Sequence, residues 1–470
     1  MFIFPKGLEM NASELQSFIT YNATDMQRVY RRNMNLYLGK HPILRAPDKE
    51  TSPNNKLVVN MPKYLVDTYN GFFAGVPPKV GLDNAADNDT LQQWNAAESI
   101  GDKLNEISKQ ADIYGRSLAF VYQGEDSLPH LAYSTPSHAF IVYDDTVARK
   151  PLAFVRYSIP YKSGYPNAYG TIQYADKFYS FNGSTISVDT EQNEYGTNPY
   201  GVVPAVEFYE NEERQGIFDS VVTLIDALDK AESQKANQVE YFDNAYLKAI
   251  GVQFPEDKEG NPQIDLKHNR LIYVPNVDPN SKSPDIDFIS KPDADNLQEN
   301  LINRITEQIY QISMIPNISD KEFSGNSSGV ALQYKLLGMV TKASSKESKF
   351  KIALRQLYRI IFKVLMPESS KDSWQDLNFH FTRNLPSNVA DEINSAKNAE
   401  GMVSKQTQLS LLSFVTDPQA ELERMSKEKA DAVKQAQENM GDLPDYMKVK
   451  PEQEPNDASE DDTDGEEETK

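Results

Sequence analysis

Ile217-Phe218-Asp219-Ser220-Val221-Val222-Thr223-Leu224-Ile225-Asp226-Ala227-Leu228-Asp229-Lys230-Ala231 opens the stretch on which the fold turns. Ile217, Val221, Leu224, Ile225, Leu228 and Ala231 form one apolar stripe at helical spacing, which predicts a long helix over 216–249. Residues 251–292 then hold six prolines: Pro255, Pro262, Pro275, Pro279, Pro284 and Pro292. Proline denies a helix an amide donor and clashes with its preceding turn, so the helix cannot continue. Between the prolines lies the β-prone run Arg270-Leu271-Ile272-Tyr273-Val274. Ile302, Ile305, Ile309 and Ile312 restore a heptad-like helical stripe over 293–313. A helix therefore leaves the body, a small β-containing module caps it, and a helix returns.

Working outward, residues 10–38 carry Leu15, Ile19, Met26, Tyr30, Met34 and Tyr37 at roughly helical intervals, and Gly39 ends them. Residues 56–75 are apolar-patterned, and 90–113 read as a further helix. The runs 118–122, 139–143, 152–157, 171–174 and 177–181 are rich in Val, Ile, Phe and Tyr and are separated by turn residues. They predict a β-rich unit of antiparallel strands whose aromatics are core. After 313, Phe323-Ser324-Gly325-Asn326-Ser327-Ser328-Gly329 has the composition of a flexible loop. A long helix is expected over 329–366, a strand over 374–383, and helices over 388–440. Residues 441–470 lack core-forming side chains and are expected to be disordered. The fold class is α+β.

The composition excludes several chemistries. There is no cysteine, so disulfides, thiolate metal sites and cysteine nucleophiles are ruled out. The five histidines, His41, His130, His138, His268 and His380, show no metal-ligand spacing, and each reads as structural. The 325–329 loop lacks the Gly-Lys-Ser/Thr of a phosphate-binding loop. Asp144-Asp145 and Asp461-Asp462 have no partner His, metal motif or nucleophile elbow, and read as solvated surface. No catalytic residue, metal or cofactor is expected. The N-terminus lacks a signal-peptide pattern and no apolar run approaches a membrane span, so a cytoplasmic product with no membrane partner is expected.

Charge is unevenly spread. The net charge is −21, of which residues 441–470 hold twelve acids against three bases. Such a chain repels phosphate over most of its surface. Between 330 and 366, however, eight bases face only Glu347. Lys335, Lys342, Lys346 and Lys349 share one face of the predicted helix; Lys351, Arg355 and Arg359 take roughly the opposite one. A kink near Gly338 or Ser344-Ser345 would realign them. The two flanking helices are acidic, with six acids to three bases over 217–248 and four to one over 293–313. An acidic bore with a basic girdle is one reading. A solvated face, or one paired with acids of a neighbouring chain, is the other.

The order of elements resembles the portal proteins of tailed bacteriophages, especially the siphophage type of Gram-positive hosts. The resemblance rests on Tyr37-Leu38-Gly39-Lys40-His41-Pro42-Ile43-Leu44, Pro53-Asn54-Asn55-Lys56-Leu57-Val58-Val59-Asn60 and Tyr64-Leu65-Val66-Asp67-Thr68-Tyr69-Asn70-Gly71-Phe72-Phe73-Ala74-Gly75. Asp226-Ala227-Leu228, Phe242-Asp243-Asn244-Ala245-Tyr246-Leu247, Gly325 to Leu332 and Phe381-Thr382-Arg383-Asn384-Leu385-Pro386 follow in family order.

The resemblance implies a portal fold. Its parts would be a wing over 1–213 with 367–385 returning to it, stem helices over 214–250 and 293–313, and an α/β clip over 251–292. A tunnel loop over 314–328, a kinked helix over 329–366, a helical crown over 386–440 and the acidic disordered tail over 441–470 would complete it. It further implies a dodecameric ring at one capsid vertex, assembled in the host cytoplasm and carried in the virion. That ring would nucleate procapsid assembly with major capsid and scaffolding proteins, dock terminase and the head–tail connector, and pass double-stranded DNA. Lys335, Lys342, Lys346 and Lys349 are the expected DNA contacts, with Phe323, Ser324, Gly325, Asn326, Ser327, Ser328 and Gly329 as the tunnel-loop contact. The competing readings are another ring-forming adaptor or connector, which is usually shorter, and a nucleotide-using enzyme, which lacks its lysine, metal motif and nucleophile.

Overall fold

The computed structural model describes residues 1–48, 53–159, 168–182, 195–243, 247–252, 254–255, 271–274, 285–288, 295–318, 329–384, 389–412, 414–415 and 417–441. Residues 1–386 form one compact unit and 387–470 a second.

The chain opens with strand β1 (Phe2–Phe4), helix α1 (Ala12–Tyr21) and helix α2 (Gln27–Tyr37). A wider π-helical turn, Asn22–Met26, joins α1 to α2. It turns Asn22 inward, where its amide donates to the Pro136 carbonyl and the Tyr157 hydroxyl, each at 2.9 Å. Asn11 and Glu14 close a reciprocal capping box at the start of α1. Gly39 ends α2 as expected. It takes φ +73°, its N–H reaches the Leu36 carbonyl and that of Lys40 reaches Asn35, a closure that favours glycine.

Helix α3 (Met61–Ala74) carries Pro62 in its first turn behind the Asn60 cap and is followed by strand β2 (Lys79–Gly81). The helix expected over 90–113 is two helices, α4 (Ala85–Ala97) and α5 (Ile100–Tyr114). They are divided by Ser99 at φ +51°. The break turns Glu98 onto Lys103, His130 and the Leu131 amide, an arrangement that a continuous helix would forbid.

The β-rich middle comprises β3 (Arg116–Gln123), β4 (Pro129–Ser134), β5 (Ala139–Asp144), β6 (Pro151–Ser158), β7 (Tyr169–Gln173), β8 (Lys177–Asn182), β9 (Tyr195–Thr197) and β10 (Ala205–Tyr209). It is not one unit. One sheet runs β1-β5-β6-β7-β8-β9 and a second β10-β3-β4. All neighbours are antiparallel except β1 on β5, a pairing that the short N-terminal run did not announce. Phe2 and Phe4 are buried there while Ile3 faces out, the alternation of a half-buried strand.

After a 3₁₀ turn at Asp219–Val221 come α6 (Val222–Asp243) and β11 (Leu247–Ile250), so the long stretch ends in a strand, not in helix. Strands β12 (Leu271–Val274) and β13 (Asp285–Phe288) flank β11, parallel and antiparallel respectively, and α7 (Asp295–Ser313) returns. Helix α8 (Gly329–Leu365) runs without interruption. Thr341, Ser344 and Ser348 donate back to carbonyls four residues earlier, which bends a helix without breaking it. Strand β14 (Asn378–His380) pairs antiparallel with β2.

Within the second unit, α9 (Val389–Asn398), α10 (Lys405–Ser410) and α11 (Pro418–Gly441) follow. Ser404 caps α10, and Gln408 donates to the Ala396 carbonyl at 2.7 Å. The acidic run from 442 onward lies outside the described residues.

The main core gathers α3, α5, α6, α7 and α8 with β3, β4 and β10. A second core lies under the six-stranded sheet, and a third lies between the two sheets. Ile302, Ile305 and Ile309 of α7 belong to the main core, as do Ile225 and Leu228 of α6. Ile312, the last member of the expected stripe, is 49% exposed. No helix among the described residues is long and apolar enough to cross a membrane.

Candidate functional site

Helix α8 is held on both faces within its own chain. Lys346 is fully buried (0% exposed), its Nζ 2.5 Å from Asp112 Oδ1 and 3.2 Å from Glu210 Oε2. Around it stand the rings of Phe73 at 4.6 Å, Tyr69 at 5.0 Å and Phe350 at 5.3 Å, whose negative faces favour a cation. Burial pushes the Asp112 carboxyl well above its ordinary range, and the Lys346 charge only partly opposes this. Burial likewise raises the Tyr69 phenol, helped by Glu210 and Asp112. The expectation that Lys346 meets DNA is therefore corrected. A sealed ammonium shared by two carboxylates has no path to a phosphate, and moving it would strand both acids.

The other three lysines of that face are also engaged. Lys342 Nζ donates to the Ser313 carbonyl at 3.3 Å, capping the end of α7, and burial lowers its pKa. Lys349 Nζ lies 2.7 Å from Glu212, whose side chain is largely exposed. Lys335 is half-buried. On the opposite face, Lys351 and Arg383 both meet Glu347, Arg355 donates to the Leu377 carbonyl, and Arg359 covers Trp374. The concentration of positive charge in α8 thus matches acids, carbonyls and rings of the surrounding elements. Of the expected tunnel-loop contacts, Phe323, Ser324, Gly325, Asn326, Ser327 and Ser328 lie outside the described residues, and Gly329 opens α8.

A second buried pair joins α6 to the segments around α2. His41 Nδ1 lies 2.5 Å from Asp229 Oδ2, with both side chains sealed, and His41 Nε2 faces the Leu36 carbonyl at 3.1 Å. The other Asp229 oxygen accepts the Val59 N–H at 2.8 Å. Leu57 and Asn55 continue the attachment along α6 through Ser233 and Asn237. A third tie runs from α3 to the end of α7. The Tyr64 hydroxyl donates to the Pro316 carbonyl and accepts the Ile318 N–H.

Segments far apart in sequence converge at these ties. Tyr37 to Leu44, Pro53 to Asn60 and Asp226 to Asp229 meet at the His41 pair, where the Asn60 amide also donates to the Tyr37 carbonyl. Phe73 and Phe381 pack with ring centroids 5.5 Å apart, and Arg383 covers Phe73. Gly75 is required there, because a Cβ would collide with the Gly71 carbonyl oxygen and would lie 2.6 Å from the Asn384 side-chain nitrogen. The sequence signal for these partnerships is weak. A lone His and a lone Lys give no hint of partners 188 and 234 residues away.

The arrangement braces both helices of the helix–module–helix excursion against one body. A family model described as "Phage portal protein, SPP1 Gp6-like" matches residues 16–435, which include every tie described above. The chain is 24% identical over 408 residues to the portal protein of Bacillus phage SPP1, covering 81% of this chain and 77% of that protein. It is 22% identical over 426 residues to the portal protein of Clostridium phage phiCD119, covering 84% and 91% respectively. With a family match over most of its length, and with the segments that carry the resemblance meeting at its structural ties, the chain belongs to the SPP1 Gp6-like phage portal protein family.

Proposed function

We propose that this chain forms a closed, dodecameric ring at a capsid vertex, through which double-stranded DNA enters and leaves the head. The observation that carries the ring is an exposed face of α8. Tyr334 (74% exposed), Leu337 (57%) and Ile352 (57%) lie on it, with Thr341, Ser344 and Ser348 between them at three- and four-residue steps. Between Tyr334 and Ile352 this face holds no charge, and the exposed Arg355 and Arg359 continue it toward the end of the helix. Exposed Ile312, Met314 and Ile318 follow at the end of α7, and Met314 packs beside Gly338 of α8. An uncharged face of this extent favours cover by another chain, and a copy-to-copy contact that repeats by rotation closes a ring.

The bore would be lined by acidic α6 and α7, whose Glu240 and Glu307 are exposed and would keep phosphate from sticking. DNA contact would fall to Lys335, Lys349 and the 323–329 segment. Lys349 can exchange the exposed Glu212 for a phosphate, whereas Lys342 and Lys346 serve packing. The β11–β13 module would be the clip that docks terminase and connector. Ile272 and Val274 are exposed on one face of its sheet and supply an apolar patch. Capsid and scaffolding proteins would meet the ring during assembly. The role is structural, with ATP chemistry left to the terminase.

Leu337→Glu with Ile352→Glu tests this reading. The isolated subunit should fold normally and sediment as a monomer, and rings that persist would refute the face assignment.

A further inference from the structure

Helix α2 carries Arg28, Arg31, Arg32 and Asn35 at i, i+3, i+4 and i+7, which places them on one face. That face lines a hollow of about 480 Å³, together with Lys40 and with Arg45 from the 3₁₀ turn Pro42–Arg45. The lining sets five cations against one carboxylate, Asp226, in a chain of net charge −21. Arg28 is matched by Asp25 at 2.9 Å, and Arg32 by Asp219. Arg31, Lys40 and Arg45 are exposed and have no acidic partner among the described residues. Three unmatched cations around one hollow raise its potential and attract an anion.

The chemistry of that anion follows from the rest of the lining, which includes apolar Ala23, Leu36, Pro42 and Val222. A duplex presents phosphates on a convex polar surface and has nothing to bury against these groups. An acidic peptide has both parts. Its carboxylates match the planar forks of Arg31 and Arg45, and an apolar side chain fills the hollow. We propose that this hollow binds a short acidic, partly apolar peptide segment of a partner protein, with Arg31, Lys40 and Arg45 holding its carboxylates. This goes beyond the channel reading, because it concerns one surface of one subunit and holds whether or not that surface lies near DNA.

Fluorescence anisotropy on the full-length protein at low ionic strength tests it. The probe is a fluorescein-labelled peptide of alternating glutamate and leucine, compared with its glutamine–leucine counterpart and with a labelled DNA duplex. The glutamate peptide should bind, and Arg31→Glu with Arg45→Glu should weaken it by about tenfold or more. Arg31→Gln with Arg45→Gln should fall between, and added salt should weaken all binding. Lys427→Glu with Lys434→Glu makes the same charge change on α11 and should leave binding unchanged. No binding of the glutamate peptide, or equal binding by the Arg31/Arg45 variants, overturns the proposal. So does a duplex that binds more tightly than the peptide and is lost with the same two arginines, which would make the hollow a nucleic-acid contact.

Discussion

Lys346 Nζ lies 2.5 Å from Asp112 Oδ1, with neither side chain exposed to solvent. The contact fixes the middle of α8 to α5, and through Glu210 to the end of β10. A cation read from sequence as a contact for DNA is a keystone of the subunit itself.

Lys346→Met should therefore act on stability rather than on DNA. Leaving Asp112 and Glu210 buried without their cation should destabilise the subunit by about 3 kcal/mol or more, against a smaller loss when Asp112→Asn is added. Denaturant unfolding of the two single variants and the double variant measures the coupling. A lone Lys346→Met of unchanged stability would contradict the assignment.

The His41–Asp229 pair predicts a pH dependence. Burial disfavours the imidazolium, but the hydrogen bond and charge of Asp229, with the Leu36 carbonyl and Asn60, more than offset this and raise the His41 pKa above the usual 6.5. A raised folded value means that the contribution is fully present below the unfolded pKa and is lost as pH rises through the folded one. The stability advantage of the natural chain over His41→Asn should thus shrink as the pH of unfolding experiments moves from about 6 to about 9. An advantage that stays constant or grows would contradict the pairing.

Two isoleucines one turn apart on α7 should differ. Ile309 is sealed in the seam with α6, and Ile309→Ala should lower subunit stability by about 2–5 kcal/mol. Ile312 is half exposed, and Ile312→Ala should change subunit stability by no more than about 0.5 kcal/mol while loosening contacts between copies. Equal losses from both would show that the exposed side of α7 is not an interface.

What was legible in the sequence was local. The proline-rich excursion between two stripes, the Gly39 stop and a long helix after residue 329 follow from backbone chemistry within a few residues, whereas the expected kink in that helix is not an interruption of it. The division of 90–113 at Ser99 was not legible, because Glu98 turns out of the helix for partners on β4. The three-residue strand Phe2–Phe4 escaped notice because its edge partner β5 lies 140 residues on. Lys346 was misread for a related reason. Spacing along α8 places Lys335, Lys342, Lys346 and Lys349 on one face, but only the fold reveals Asp112, Glu210 and Glu212 opposite that face. Conversely, the Arg28, Arg31 and Arg32 stripe is open to the same spacing argument, but only the fold brings Lys40 and Arg45 beside it around one hollow.

The central claim is that the uncharged Tyr334–Ile352 face of α8 packs against a neighbouring copy to close a ring with an acidic bore. Electron cryomicroscopy of the purified protein measures this most directly. The account predicts closed rings in which Leu337 and Ile352 are buried between subunits, while α6 and α7 turn Glu240 or Glu307 toward the axis. Rings in which the Leu337–Ile352 face lies open to solvent, or a population that is monomeric under assembly conditions, would contradict it.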